Sequence, residues 1–186
     1  MSATPTPAAG QPRLIEAYKD LAERNPKDRY VLHWLLMAYL SQKAFTEGIQ
    51  QFMRFVAQDD HNDQAHMCLG VLYEKGGYGD ESIRSYLKVL ALNPNEELVY
   101  LFLSTRYILK GEWAHALTVT TSGIEKFPRA ERLHFNRGFA LAQQQEFDKA
   151  IEAFTKEIEI SPQCSEAYFN IDVIKRNKVS ALKMKK

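Results

Sequence analysis

Four of the seven prolines in this chain, Pro26, Pro94, Pro128 and Pro162, lie on a single 34-residue grid, and Asp60 occupies the one remaining grid point. Proline has no amide hydrogen and its ring collides with the preceding turn, so each of these positions marks where a helix stops. A fixed period of that length implies helix pairs repeated in tandem, and the expected fold class is an all-α solenoid of antiparallel helix pairs. Such arrays work through an extended surface rather than an enclosed catalytic pocket.

Counting from the grid divides the chain into a half-repeat at 13–28, full repeats at 29–62, 63–96, 97–130 and 131–164, and a C-terminal capping helix at 165–180. Similar residue types recur at the same slots. Leu69, Gly70, Tyr73, Ser82, Tyr86 and Pro94 in one repeat are matched by Leu103, Ser104, Tyr107, Ala116, Thr120 and Pro128 in the next. The last full repeat has Arg137, Gly138, Leu141, Ala150, Phe154 and Pro162; the first has Leu35, Leu36, Tyr39, Gly48, Phe52 and Asp60. Turns at Lys43-Ala44-Phe45, Gly76-Gly77-Tyr78-Gly79, Gly111-Glu112-Trp113 and Gln145-Glu146-Phe147 separate the two helices of each pair. Helices approach closely only where the crossing point carries little side-chain volume, so Gly70 is expected to face Ser82, Ser104 to face Ala116 and Gly138 to face Ala150. Leu36 departs from that rule, and Gly48 opposite it is expected to compensate in volume.

This pattern resembles the tetratricopeptide repeat family, with its Leu-Gly, Tyr, Ala, Phe and Pro signature, over roughly residues 13 to 180. The resemblance implies helix pairs stacked into a right-handed superhelix whose inner face binds a peptide or a helix. It also implies that His66 and His134, at a slot where the family often has tryptophan, pack partly buried.

The flanks follow the same logic. Residues 13–24 carry Leu14, Tyr18 and Leu21 on one helical face, the pattern of a second helix without its first, stacked on the repeat that follows. Ser165 is expected to cap a first-type helix that covers the last repeat. Residues 1–12, rich in Pro, Ala and Thr, read as a disordered lead-in with no secretory signal, and 181–186 as a basic tail. The helix over 113–127, with Thr118-Val119-Thr120-Thr121 and Gly123, has the weakest intrinsic propensity of the set.

Twenty-four basic against 23 acidic side chains leave a net charge of +1, which gives no global attraction to nucleic acid or membrane. No apolar stretch is long enough to span a bilayer. Cys68 and Cys164 lie almost three repeats apart, so no disulfide is expected, and the expected location is a reducing cytoplasm. His33, His61, His66, His115 and His134 form no metal-binding spacing, and the glycines at 76–79 are followed by no Gly-Lys-Ser/Thr. The chain is therefore expected to be no enzyme, with no catalytic residue, metal or cofactor.

The resemblance places a set of first-helix residues on the concave face: His33, Met37 and Leu40; Met67 and Val71; Leu101, Thr105 and Ile108; Phe135 and Phe139; Phe169 and Val173. All but His33 and Thr105 are apolar. Met37, Cys68, Leu98 and Phe102 occupy slots that hold Lys, Arg or Asn in relatives that clamp acidic chaperone tails, which argues against that ligand. The expected function is a protein-binding scaffold, an adaptor or chaperone-like module that takes an apolar peptide or amphipathic helix of a partner. Two alternatives stay open. One is a self-associating homo-oligomer; the other is a nucleic-acid-binding accessory protein using Lys175, Arg176, Lys178, Lys183, Lys185 and Lys186, although a neutral body with no basic groove argues against nucleic acid.

Overall fold

The computed structural model describes residues 11–183. Among these residues there are ten helices and no strand: α1 (Gln11–Arg24), α2 (Arg29–Ser41), α3 (Phe45–Gln58), α4 (Asp63–Gly76), α5 (Gly79–Leu92), α6 (Glu97–Lys110), α7 (Trp113–Lys126), α8 (Leu133–Gln143), α9 (Phe147–Ile160) and α10 (Ser165–Lys183). The chain divides into two compact units, Met1–Pro94 and Asn95–Lys186.

The 34-residue period is visible in the backbone itself. Lys43, Gly77, Gly111 and Gln145 all have positive φ, at 54°, 84°, 73° and 63°, and each reverses the chain between the two helices of one pair. Glycine adopts this left-handed conformation freely, whereas Lys43 and Gln145 hold it at a cost of about 1 kcal/mol each. The following helices start at Phe45, Gly79, Trp113 and Phe147, again in register. Side-chain caps start α2 and α4: Asp28 accepts from the amides of Tyr30 and Val31, and Asn62 accepts from that of Ala65. Asn62 Nδ2 also donates to the Pro26 carbonyl at 2.6 Å, which ties one linker to the preceding one.

In the first unit, α2 to α5 enclose a core of Leu32, Leu35, Tyr39, Phe52, Phe55, Leu69 and Leu72, with Tyr86 and Val89 fully covered on α5. In the second unit, a core around Leu141, Ala153, Phe154, Ala167 and Ile174 joins α8, α9 and α10. Gly123 on α7 explains its place in a helix of poor propensity: a Cβ there would stand 2.9 Å from both Leu133 and Tyr100. Thr118 and Thr120 turn their hydroxyls back to the carbonyls of Ala114 and Ala116, so both hydroxyls are satisfied within α7.

Several expectations are corrected. The atoms nearest a Cβ on Gly48 belong to Tyr39 and Leu72, at 3.0 and 3.1 Å, and not to the expected partner Leu36. Nor do the small slots simply face one another, because Gly70 lies under the ring of Tyr86 and Gly138 under that of Phe154. Of the four helix pairs, α2 and α3, whose slot residue is Leu36, have the least extensive backbone approach. On α1 the buried residues are Ile15 and Ala22, while Leu14 and Leu21 are 44% and 42% exposed. Helix α1 begins at Gln11, inside the expected lead-in, whose residues 1–10 lie outside the described residues. Ser165 is the first residue of α10 rather than a cap before it, and α10 runs on to Lys183, through the expected boundary at 180; 184–186 lie outside the described residues.

Candidate functional site

In both units the first helices carry the candidate surface. In the first unit, α2 and α4 pack side by side, with Cys68 Sγ directed at the Leu32 carbonyl at 3.9 Å. His33 and Met37 are exposed on α2, Leu40 is half-buried, and Met67 and Val71 are half-buried on α4. Cys68, at one of the slots compared with chaperone-tail clamps, is wholly buried and contributes no surface. Burial pushes its thiol from an ordinary 9.0 up to about 12, which leaves it a neutral packing group.

In the second unit, α6 and α8 pack side by side. Asn136 on α8 donates to Ser104 Oγ at 2.9 Å and Thr105 Oγ1 at 3.1 Å on α6, a buried polar link that sets the register of the two first helices. Leu101, Thr105 and Ile108 are half-buried along α6. Phe135 and Phe139 are also half-buried, and both lean on the core: Phe135 lies 5.4 Å from Phe154, and Phe139 lies 6.2 Å from Trp113. The Arg132 guanidinium covers the outer face of Phe135 at 4.4 Å. Phe169 and Val173 on α10 are open, with Phe169 67% exposed. None of the twelve residues is fully buried. A cleft of about 430 Å³ beside Leu101 is lined by Leu98, Arg129, Arg132 and Leu133, with Glu97 and Glu131 at its edge.

The start of α8 shapes this cleft. Ala130 stands at the slot where Asp28 and Asn62 cap their helices, and α8 is delayed to Leu133 after Arg132, whose φ is 72°. The buried carboxylate of Glu157 on α9 takes over, accepting from the Arg132 amide at 2.8 Å and the Phe135 amide at 3.2 Å. His66 and His134 are buried at equivalent slots, their Nε2 atoms each 3.1 Å from a linker carbonyl, of Asp60 and Pro128 respectively. These are structural ties. Among the described residues no cluster of three or more His, Cys, Asp or Glu is placed to hold a metal ion, and both thiols are free.

Residues 131–164 match the family model described as Tetratricopeptide repeat. The backbone period extends that repeat over the neighbouring helix pairs. Residues 131–164 form a tetratricopeptide repeat. The fold class of the chain, an all-α helical-repeat solenoid, is also that of the similar solved structures. The crystal structure of MamA is 23% identical with a TM-score of 0.70, covering 82% of this chain and 89% of that one. MamA 41-end from Desulfovibrio magneticus RS-1 is 16% identical with a TM-score of 0.71, covering 88% and 85%. YrrB, described as a TPR protein with an unusual peptide-binding site, is 18% identical with a TM-score of 0.70, covering 86% and 82%. At these identities the likeness is one of fold. No curated protein matches the chain in sequence.

Sequence reasoning missed several exposed apolar side chains. Tyr30, Trp34, Leu109 and Tyr168 are exposed by 77%, 53%, 66% and 51%, in addition to Leu14 and Leu21. For Trp34 a signal was available: it occupies the slot of Cys68, a contact to the preceding first helix, and α2 has no described first helix before it.

Proposed function

We propose that this protein is a non-catalytic scaffold that holds an apolar peptide or an amphipathic helix of a partner against its first helices. The observation that carries the reading is the apolar surface that the first helices of each unit leave uncovered: ten of the twelve positions are apolar and all twelve are exposed or half-buried. Apolar side chains held at this level of exposure gain about 25 cal/mol for each Å² that a partner covers. YrrB, on the same fold, has a peptide-binding site. Met37 and Met67 suit a surface that adapts to more than one apolar sequence. Adaptor or chaperone-like work in the cytoplasm belongs to this reading, and the two free, buried thiols are compatible with a reducing compartment. Among the described residues no helix is long and apolar enough to cross a membrane.

A photo-crosslinking amino acid at position 37 or 169, on the proposed face, should capture peptides selected against the whole chain from a random amphipathic library. The same group at position 53, on second helix α3, should not. Phe169→Ser should weaken the selected peptides about tenfold. Capture from position 53 with none from 37 or 169 removes the proposal. Tyr168, Phe169 and Val173, all exposed on α10, favour self-association as a second reading; light scattering that shows a concentration-dependent mass, abolished by Phe169→Ser, supports it.

A further inference from the structure

Helix α1 is a second helix whose first helix is not among the described residues, and the repeat register says what that face is built to meet. Leu14, Tyr18 and Leu21 stand 34 residues before Gly48, Phe52 and Phe55, and 68 before Ser82, Tyr86 and Val89. In α3 and α5 those positions are buried, covered by α2 and α4. In α1 the two leucines are more than two-fifths exposed. The second wall of this open face is Trp34, 53% exposed, whose counterpart Cys68 is wholly buried against the preceding first helix. Stacking of Tyr18 on Trp34, with centroids 6.4 Å apart, joins the two walls, so the open face is continuous with the packed α1–α2 interface.

We infer that this face docks an amphipathic helix of a partner protein, seated as α4 is seated on α5 and carrying a Gly-x-x-Ala-Glu pattern. Each element of the pattern comes from a contact inside this chain. Tyr18 is the counterpart of Tyr86, and a Cβ on Gly70 would stand 2.4 Å from the Tyr86 ring, so glycine is required opposite Tyr18. Tyr86 donates its hydroxyl to Glu74 at 3.2 Å, so a glutamate four residues after the glycine receives the Tyr18 hydroxyl. Leu14 replaces the small Gly48, which lies against Tyr39, so the occupant needs a short side chain at the tyrosine slot, three residues after its glycine. A second copy's α10 does not meet these requirements. By register Asp172, paired with Arg176 at 2.7 Å, stands at the glycine slot and Lys175 at the short-side-chain slot. Residues 1–10 contain neither a glutamate nor a leucine, isoleucine, valine or aromatic residue.

The probe is a capped, dye-labelled peptide of residues 63–76 with Cys68→Ser and Tyr73→Ala, titrated against the full chain by fluorescence anisotropy. Saturable binding is expected, with about tenfold loss on Leu21→Glu in the protein or Gly70→Leu in the peptide, and no change on Leu109→Glu or Phe169→Ser. Phe169→Ser separates this face from the first-helix surface proposed above. Circular dichroism checks that Leu21→Glu stays folded. Should it not, Tyr18→Phe in the protein combined with Glu74→Gln in the peptide must be non-additive. The inference is overturned by absence of saturable binding, by equal affinity for the Gly70→Leu peptide, by additivity in that cycle, or by a chain dimer that Leu21→Glu dissolves, which would make a second copy the occupant.

Discussion

Glu157 stands where Phe55, Val89 and Gly123 stand in the three preceding repeats, yet it is as buried as any of them. Its carboxylate is kept in the core by two backbone amides that would otherwise be orphaned at the start of α8. The need arises from Ala130, which has no oxygen to cap the helix. Glu157→Ala should cost roughly 2 kcal/mol, because it strands buried donors as well as opening a cavity. Glu157→Gln, with one acceptor left, should cost less. Adding Ala130→Asp to the alanine variant should recover part of the loss by restoring a cap. Urea melts of the three variants test this, and an alanine variant as stable as the wild type would show that the amides find other partners.

At the scale of elements, the glycine slots are where packed helices leave the least room. Gly70→Ala places a methyl group against a ring with no exposed surface and should lose roughly 1–3 kcal/mol despite alanine's better helix propensity. Gly48→Ala should also destabilise, but Leu36→Ala should not rescue it, because the close neighbours are Tyr39 and Leu72. Chemical denaturation of Gly48→Ala, Leu36→Ala and the double variant should give additive losses; mutual rescue would restore the volume-compensation view. Helix α10 is the other decisive element. Ala167, Ile171 and Ile174 pack onto the Phe154 cluster, so deleting 165–186 should uncover that core and promote aggregation in light scattering, whereas deleting 184–186 should not. Equal behaviour of the two truncations would mean that α10 is not a cap.

For the whole molecule, the two units are expected to respond differently to alkali. Burial raises Cys68 from 9.0 and Tyr39 from 10.0, each to about 12, with Glu47 adding to the tyrosine shift, and both belong to the first unit. Folded-state values above the unfolded ones mean that stability is full below pH 9 and falls as pH rises toward 12, since only the unfolded chain releases these protons early. Tyr73 in the first unit and Tyr100 and Tyr107 in the second are raised by burial in the same direction. Trp34 and Trp113 are the only tryptophans, one in each unit, so fluorescence of the Trp113→Phe and Trp34→Phe variants reads the units separately. The first unit should lose more stability between pH 8 and pH 11. Cys68→Ala with Tyr39→Phe, which also removes a buried hydroxyl lacking a hydrogen-bond partner, should flatten that difference. Identical pH profiles for the two probes would contradict the assignment.

Periodicity was legible in the chain alone, because proline, glycine and small residues act through local backbone sterics that need no partner. The turns at Gly77 and Gly111 follow from that local chemistry, whereas Lys43 and Gln145 take the same left-handed conformation against their own preference. Which neighbour fills a small slot does not follow from it: Gly48 meets Leu72 of the next repeat, and no count along one repeat contains that contact. Phe135 and Phe139 were readable as first-helix surface residues, but only packing shows that both also brace the core, which makes them poor sites for testing binding alone. Likewise, Leu14 and Leu21 share a face with Tyr18 in the sequence, yet it is the seating of α1 through Ile15 and Ala22 that leaves that face open. Helical periodicity specifies which side chains share a face; which face is covered depends on the volumes that neighbouring helices bring to it, and that is decided only when they pack.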